Sequence, residues 1–348
     1  MDGINESFFL GVSAVSAALL SLLGTRAVLD FAARHSMLDV PNERSSHRVP
    51  TPRGGGLAIA VTVGIALLVA MLAGLLSIRT GLAFLCGGSI IAVVGWIDDR
   101  RGLPVRLRLA AHFCAAILAV ALLHWEPAQA RGSFARVIVD IGAIVWLVWM
   151  TNLYNFMDGI DGLAAVEAIV VGASAAIMLA VSGALGLSFI AIVVAGAAAG
   201  FGWYNRPPAR IFMGDVGSGL LGFLFGCLAV ASAASGRTPA YVWPLLLAVF
   251  IADATVTLLR RVIGKRKWYT AHREHAYQRL VQHGWRHGQV DGAVTTIDIA
   301  LALLAYFSLA GRIEPYAAMG AAAALIVMAY AAVERVAARP FTLNDHDA

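Results

Sequence analysis

Paired and closely spaced acidic residues stand out in a chain that is otherwise poor in charge. Asp98 and Asp99 are adjacent, Asp158 and Asp161 are three residues apart, and Asp215 follows a glycine. Adjacent carboxylates suit a divalent cation, since Mg²⁺ binds one or two carboxylates together with phosphate oxygens. A spacing of three places two carboxylates on one side of a helical turn. These acids predict chemistry on a phosphorylated substrate.

Each acidic motif also has a purely structural explanation. Asp98 and Asp99 could be the solvated end of a helix, and Asp158 and Asp161 could cap and turn the chain between two helices. Asp215 could be an N-cap. A turn of small residues at a helix N-terminus is, however, also a good phosphate-binding site. A functional interpretation of these motifs therefore needs independent support, which their position relative to the membrane can give.

A second group of polar residues combines histidine and arginine. His272 and His275 are three residues apart, with Arg273 between them and further Lys and Arg residues around them. A zinc site would need more ligands, whereas His and Arg together suit a pyrophosphate. A basic loop that contacts lipid is the alternative. Asp253 differs from these because it lies inside an apolar stretch, where an acid is usually functional or paired.

The apolar composition determines the class of protein. Hydrophobic residues make up 59% of the 348 residues and charged residues 14%, against about a quarter charged in soluble domains. Stretches of ~18 residues or more with almost no charge are long enough to cross a bilayer as helices. The predicted fold class is all-α, a polytopic integral membrane protein with residues 1–348 in a single transmembrane domain. About eleven spans are expected, at 8–31, 54–76, 81–97, 107–124, 137–156, 163–182, 184–203, 216–235, 241–262, 293–311 and 313–334.

Basic residues predict how the chain crosses the membrane. With the N-terminus outside and the C-terminus in the cytoplasm, all but five of the 26 Lys and Arg residues fall on the inner side, as the positive-inside rule requires. The five on the outer side are Arg79, Arg131, Arg136, Arg237 and Arg312. The hydrophilic stretch 263–292 is then a cytoplasmic loop or helical arm. Helix parity places the unusual polar residues on this same face, which predicts an active site at the inner ends of the helices.

Four motifs in order resemble the polyprenyl-phosphate N-acetylhexosamine-1-phosphate transferases, a family that includes MraY, WecA and WbpL. They are DVPNERSSHRVPTPRGG at 39–55, the Asp98–Asp99 pair, NLYNFMDGIDG at 152–162 and NRPPARIFMGD at 205–215. Residues 272–279 read HREHAYQR, so Tyr277 stands where many members have a second histidine. This version is most similar to the WbpL branch.

The resemblance implies a role for each matching residue. The implied catalytic residues are Asp98, Asp99, Asp158 and Asp161, with Asp98 as a base or phosphate-orienting group. Asp215 and Asp99 would bind the metal, which is Mg²⁺ with Mn²⁺ as an alternative. The implied substrate-binding residues are Arg44, His47, Arg48, Asn152, Asn155, Asn205, Arg210, His272, Arg273 and His275.

The resemblance also implies the reaction. An N-acetylhexosamine 1-phosphate, from UDP-GlcNAc or a 6-deoxy relative such as UDP-FucNAc or UDP-QuiNAc, would pass to undecaprenyl phosphate with release of UMP. The product would begin O-antigen or cell-envelope polysaccharide synthesis at the bacterial inner membrane. The partners expected are the UDP-sugar, the lipid phosphate and the bilayer, with no nucleic acid. A homodimer is left open.

Two functions from other classes compete with this hypothesis. A secondary transporter also has many spans and intramembrane acids, but it should place its charges near the midplane beside broken helices. A scaffold would not explain why the acids gather on one side. Stabilisation of the protein by UMP or a UDP-sugar would separate a transferase from both alternatives.

Overall fold

Helices form almost all of the described structure. A computed structural model describes residues 3–35, 37–41, 49–123, 134–266 and 272–338. Strands β1 (Leu38–Asp39) and β2 (Thr51–Pro52) form a small antiparallel hairpin in which Leu38 is opposite Pro52. The helices are α1 (Gly3–Arg34), α2 (Gly56–Leu72), α3 (Ile78–Arg101), α4 (Val105–Leu123), α5 (Phe134–Met157), α6 (Leu163–Val181), α7 (Leu185–Asn205), α8 (Asp215–Ala234), α9 (Val242–Leu246), α10 (Ala248–Ile263), α11 (Ala276–Gln282), α12 (His287–Leu309) and α13 (Pro315–Ala337).

The helices confirm an all-α, multi-pass membrane protein. Within the described ranges, nine are long and apolar enough to cross a bilayer, namely α1, α3 to α8, α12 and α13. Helix α2 is apolar but has 17 residues, just below the usual length for a span. Each predicted span thus corresponds to one helix, except the stretch 241–262. The number of spans that cross the bilayer and their direction stay predictions.

The predicted span 241–262 consists of two helices. Helices α9 and α10 meet at Leu247, whose φ of −105° and ψ of 15° lie outside the regular helical values. Leu247 and Leu246 are buried, and irregular backbone at membrane depth is tolerated where protein surrounds it. Hydropathy cannot reveal this change because the residues next to the break, Leu246 and Ala248, are both apolar.

Helix α8 lies at the centre of the bundle. Its residues are buried without interruption from Asp215 to Ser232, and it packs against α2, α3 and α5. Glycines allow the close approach, as small residues do between membrane helices. A Cβ on Gly222 would lie 2.2 Å from Met150 O, and one on Gly95 would lie 2.6 Å from Asp215 C. The close packing fixes where α8 begins, and α8 begins with Asp215.

The first and fourth motifs are joined at the same end of the bundle. Gly54 and Gly55 donate backbone hydrogen bonds to Phe212 O at 3.2 and 2.9 Å, and Phe212 N donates to Pro52 O at 2.8 Å. Gly54 has a φ of 100°, a conformation that glycine adopts without strain. Segments far apart in sequence are therefore held side by side.

Candidate active site

Three of the predicted catalytic and metal-binding acids meet at the N-terminus of α8. Asp98 and Asp99 lie in the last turn of α3, and Asp215 is the first residue of α8. Arg108 Nη1 lies 2.6 Å from Asp98 Oδ2 and 3.1 Å from Asp215 Oδ2. Arg53 Nε lies 2.8 Å from Asp99 Oδ1, and its Nη2 lies 2.6 Å from Asp215 Oδ1. Two arginines thus bridge three carboxylates.

Asp99 caps α8 from a different helix. Its Oδ1 accepts a hydrogen bond from Asp215 N at 2.8 Å, and its Oδ2 accepts one from Val216 N at 3.2 Å. The Asp99 side chain is fully buried. The carboxylate therefore satisfies backbone N–H groups at the helix N-terminus, where negative charge is favoured. Asp215 has no need to serve as its own cap, which leaves its carboxylate to the two arginines and a ligand.

Arg53 remains a permanent cation in this cluster. Burial alone would lower its pKa, but the charges of Asp99 and Asp215 outweigh this effect and hold the pKa above its ordinary value. Such a charge suits a phosphate that must be bound and neutralised.

The signature between α5 and α6 forms a second part of the site. Gly162 N donates to Asn205 Oδ1 at 3.0 Å, and Asn205 Nδ2 donates to Ile211 O at 3.0 Å. Asp161 Oδ2 accepts from Ala209 N at 3.1 Å and lies 3.3 Å from His287 Nδ1. The predicted residues Asp161 and Asn205 thus hold the third and fourth motifs together.

Asp158 lies in the same loop with an altered acidity. Burial raises its pKa well above the ordinary value, and the charges of Asp215, Asp99 and Asp161 add to this effect against the opposing charge of Arg53. The clustered carboxylates repel one another, so the site attracts positive charge.

His275 is held by the intramembrane acid Asp253. Asp253 Oδ1 lies 3.2 Å from His275 Nδ1 and accepts from Ala276 N at 2.9 Å, while its Oδ2 accepts from Tyr277 N at 3.3 Å. Tyr277 OH donates to Phe156 O at 3.0 Å. Asp253 therefore fixes the N-terminus of α11 beside the end of α5, and it is a paired acid.

His272 and Arg273 precede this anchor. The His272 and His275 rings stack with centroids 5.0 Å apart. Burial lowers the pKa of His272 to about 4, and the neighbouring His275 and Arg261 also favour the neutral form. Within the described chain, His272 Nδ1 and Arg273 Nε are buried without a hydrogen-bond partner. These are free groups of the kind that a phosphate could use.

A small pocket opens beside Asp215 between α3, α4, α5 and α8. Its volume is about 60 Å³, several times the 10–15 Å³ that a single water needs. Asn155 and Asn152 line it, together with Arg108 and His112. The Asn152 amide nitrogen is occupied by Val148 O at 2.7 Å and His112 Nδ1 at 3.1 Å, so its Oδ1 is the atom left for a ligand.

The remaining predicted residues lie apart from these contacts. Arg210 is exposed on the loop before α8. Arg44, His47 and Arg48 lie outside the described residues. Sequence reasoning missed Arg108, His112 and His287 as parts of the site. Arg108 and His112 are spaced by one helical turn, which places them on one face of α4, and this polar pair in an apolar helix was the available signal.

The donor set is suited to Mg²⁺ with help from substrate. Within the described residues, no group of three or more His, Cys, Asp or Glu side chains could hold a metal. Mg²⁺ does not need such a group, because it binds one or two carboxylates and completes its shell with water and phosphate. Asp215 and Asp98 lie close together, since both contact Arg108. Their carboxylate oxygens are the hard ligands that Mg²⁺ prefers, so these two residues fit a Mg²⁺ site that substrate and water complete.

Comparisons with known proteins show the family of the chain. Residues 81–233 match the family described as Glycosyl transferase family 4. A decaprenyl-phosphate N-acetylglucosaminephosphotransferase of Mycobacterium tuberculosis is 31% identical over 315 residues, covering 81% of this chain and 78% of the relative. A Bacillus subtilis protein named "Probable undecaprenyl-phosphate N-acetylglucosaminyl 1-phosphate transferase" is 30% identical over 285 residues, covering 79% and 78%. A phospho-N-acetylmuramoyl-pentapeptide-transferase of Picosynechococcus is 31% identical over 244 residues, covering 62% and 63%.

The fold, the acidic site and these relatives define a membrane-embedded glycosyl-1-phosphate transferase. The chain belongs to Glycosyl transferase family 4. The predicted family and enzyme class are therefore confirmed. The similarity to the WbpL branch stays a prediction.

Proposed function

We propose that this protein transfers an N-acetylhexosamine 1-phosphate from a UDP-sugar to a polyprenyl phosphate, for which undecaprenyl phosphate is the expected acceptor. The observation that carries the proposal is the placement of Asp215 between Arg53 and Arg108, at the mouth of a pocket that faces into the helix bundle. Two guanidinium groups thus lie among the carboxylates, at the point where we expect a phosphate from the membrane to meet a soluble diphosphate. The relatives' names support a lipid phosphate acceptor.

The reaction exchanges one phosphoanhydride bond for another. An oxygen of the lipid phosphate attacks the β-phosphorus of the UDP-sugar and forms a new P–O–P bond. The bond from the β-phosphorus to the bridging oxygen breaks, and UMP leaves with that oxygen. Such transfers depend on positioning and charge neutralisation. Arg53 and Arg108 supply positive charge, and Asn155 hydrogen-bonds to Asp215 at the edge of the pocket.

Asp98 is better suited to orienting the acceptor than to deprotonating it. A phosphate monoester has a second pKa of about 6, so it is largely ionised near pH 7. Asp98 is itself held by Arg108 and by Leu103 N. A double displacement through an aspartyl-phosphate is the alternative mechanism. Exchange of labelled UMP into the UDP-sugar without lipid would favour it, and no exchange would favour direct attack.

Asp215 and Asp98 would hold Mg²⁺, with Mn²⁺ as the alternative. The sequence predicted Asp99 as the second ligand, but the Asp99 side chain is fully buried against the start of α8. The Asp98 side chain remains 10% exposed, which favours Asp98. When bound, the metal supplies neutralisation of the diphosphate charge. Asp99 then acts by positioning Asp215.

The loop residues would bind the soluble donor. Asp158, Asp161, Asn205 and His275 belong to segments that the structure joins at one end of the bundle. Because UDP-sugars are soluble and the acceptor phosphate lies at the membrane surface, we expect this end to face the cytoplasm at the bacterial inner membrane. GlcNAc, FucNAc and QuiNAc remain the candidate sugars, and O-antigen initiation the expected role. A homodimer stays open.

The experiment supplies purified protein with undecaprenyl phosphate, Mg²⁺ and a panel of UDP-N-acetylhexosamines. Lipid-linked diphosphate sugar should form with one member of the panel and should require both the lipid and the metal. Thermal stabilisation by UMP, measured on the same preparation, shows that the protein is folded and binds nucleotide. Folded protein that makes no product with any sugar would contradict the proposal.

A further inference from the structure

A histidine outside every sequence motif forms one wall of the pocket beside Asp215. His112 lies on α4, one turn after Arg108, so both side chains point to the same face of that helix. Both residues line the pocket, together with Asn152 from α5. Arg108 and Asp215 are the charged neighbours of the imidazole.

The hydrogen bonds of Asn152 determine which His112 nitrogen carries the proton. Asn152 Nδ2 lies 2.7 Å from Val148 O, a carbonyl that can only accept, so this atom is the amide nitrogen. The same nitrogen lies 3.1 Å from His112 Nδ1 and donates to it. In a neutral imidazole an accepting Nδ1 leaves the proton on Nε2. His112 thus presents an N–H donor on the edge of the ring away from Asn152.

The pocket lies between α3, α4, α5 and α8, where a phosphate can enter from the membrane. Ile91 and Gly219 complete its walls from α3 and α8. His112 lies seven residues into α4, roughly 10 Å below the helix end at 1.5 Å per residue. The donor loops around Asp161 and Asn205 contribute no residue to its lining, so we expect the ligand of this pocket to come from between the helices.

We infer that His112 donates a hydrogen bond from Nε2 to a phosphate oxygen of the lipid acceptor, next to Arg108. Asn152 acts as a positioning residue that fixes the tautomer. The inference deepens the proposed function and rests on it, because it names which substrate the pocket holds.

Three substitutions of His112 distinguish the contribution of Nε2 from that of Nδ1. A glutamine amide can reach the position of Nε2, whereas an asparagine amide reaches only that of Nδ1. His112→Ala and His112→Asn should raise the KM for undecaprenyl phosphate about 10- to 100-fold, the effect of losing a hydrogen bond to a charged group. His112→Gln should recover most of this loss. The KM for the UDP-sugar should stay unchanged in all three, and His35→Gln, an exposed histidine, is the matched control.

A binding measurement makes the inference independent of turnover. Undecaprenyl phosphate should raise the melting temperature of the wild-type protein more than undecaprenol does, and His112→Ala should remove this difference while stabilisation by UMP remains. If undecaprenol stabilises equally, or if His112→Ala weakens UMP and lipid alike, the inference is wrong even where the enzyme is active. Absence of UMP release alongside a phosphate-specific shift would instead count against the proposed reaction only.

Discussion

Asp99 supports the candidate site without lining the pocket beside Asp215. Its carboxylate accepts hydrogen bonds from Asp215 N and Val216 N and pairs with Arg53. Because it is the contact that fixes the start of α8, its loss should move Asp215 as well as destabilise the fold. The sequence identified Asp99 correctly as unusual, but the spacing of two acids cannot say which of them faces the pocket.

We predict that Asp99→Ala abolishes activity and lowers thermal stability in detergent. Leaving buried N–H groups unsatisfied costs about 1–3 kcal/mol. The matched control is Asp140→Ala, since Asp140 pairs with Arg136 one turn away at 3.0 Å and such pairs contribute only ~0.3–0.5 kcal/mol. Equal melting temperatures for the two variants would show that Asp99 does not cap α8.

We predict that His272 makes the folded protein sensitive to acid. Its pKa is about 4 in the fold, because of burial and the nearby His275 and Arg261, against an ordinary value of 6.5. As the pH falls from about 6.5 to about 4, the unfolded chain binds the proton and the folded chain does not, so stability decreases. His272→Gln should make the melting temperature less dependent on pH between about 6.5 and about 4. His35→Gln should leave the pH dependence of the melting temperature unchanged. An unchanged slope in His272→Gln would contradict the assigned environment.

At the scale of elements, glycine contacts set the position of Asp215. A Cβ on Gly95 would lie 2.6 Å from Asp215 C and Val216 N, so any side chain there must separate α3 from α8. Since interiors transmit such shifts, helix packing and catalysis are linked at this point.

We predict that Gly95→Ala lowers kcat by at least about 100-fold, the effect expected when reacting groups are displaced by about 1 Å. Gly142→Ala on α5 is the matched control, because a Cβ there meets nothing within 4 Å. Activity assays of both variants, with UMP stabilisation as a test of folding, decide the matter. If Gly95→Ala had the kcat of the wild-type protein, α8 could shift without any loss of activity, and the prediction would be wrong.

Long apolar elements could be predicted from sequence, and local breaks and cross-chain contacts could not. Hydropathy located α1 to α8, α12 and α13, because burial in lipid leaves a continuous signal. Hydropathy predicted a single span for α9 and α10, because Leu247 is as apolar as the residues next to it. Of the site, the acids were found by motif, whereas Arg108, His112 and His287 lie in apolar or helical stretches where only packing brings them to Asp215 and Asp161.

At the scale of the whole molecule, the placement of acids argues against a transporter. The helix break at Leu247 is flanked by apolar residues and carries no charge. Glu167 and Asp298 form a buried pair between α6 and α12. Transporters place charges beside broken helices at the midplane, and here the described acids with cationic partners concentrate at one end of the bundle.

We predict that this end faces the cytoplasm. A reporter domain that is active only in the cytoplasm should be active when it is fused after residue 348. A reporter that is active only on the outer side should be active when it is inserted near Gly183, in the short α6–α7 connection. The reason is the Lys and Arg asymmetry, which fixes orientation during insertion. The reverse pattern would move the acidic site to the outer face and contradict the proposed donor.

The central claim is that Asp215 acts on the diphosphate at the α8 N-terminus, and UMP release tests it most directly. Wild-type protein should release UMP only with undecaprenyl phosphate and Mg²⁺ present. Asp215→Asn should reduce release about 100- to 1,000-fold, as loss of one preorganised polar group does. The variant should still melt cooperatively and bind undecaprenyl phosphate. Release by Asp215→Asn at the wild-type rate would contradict the account.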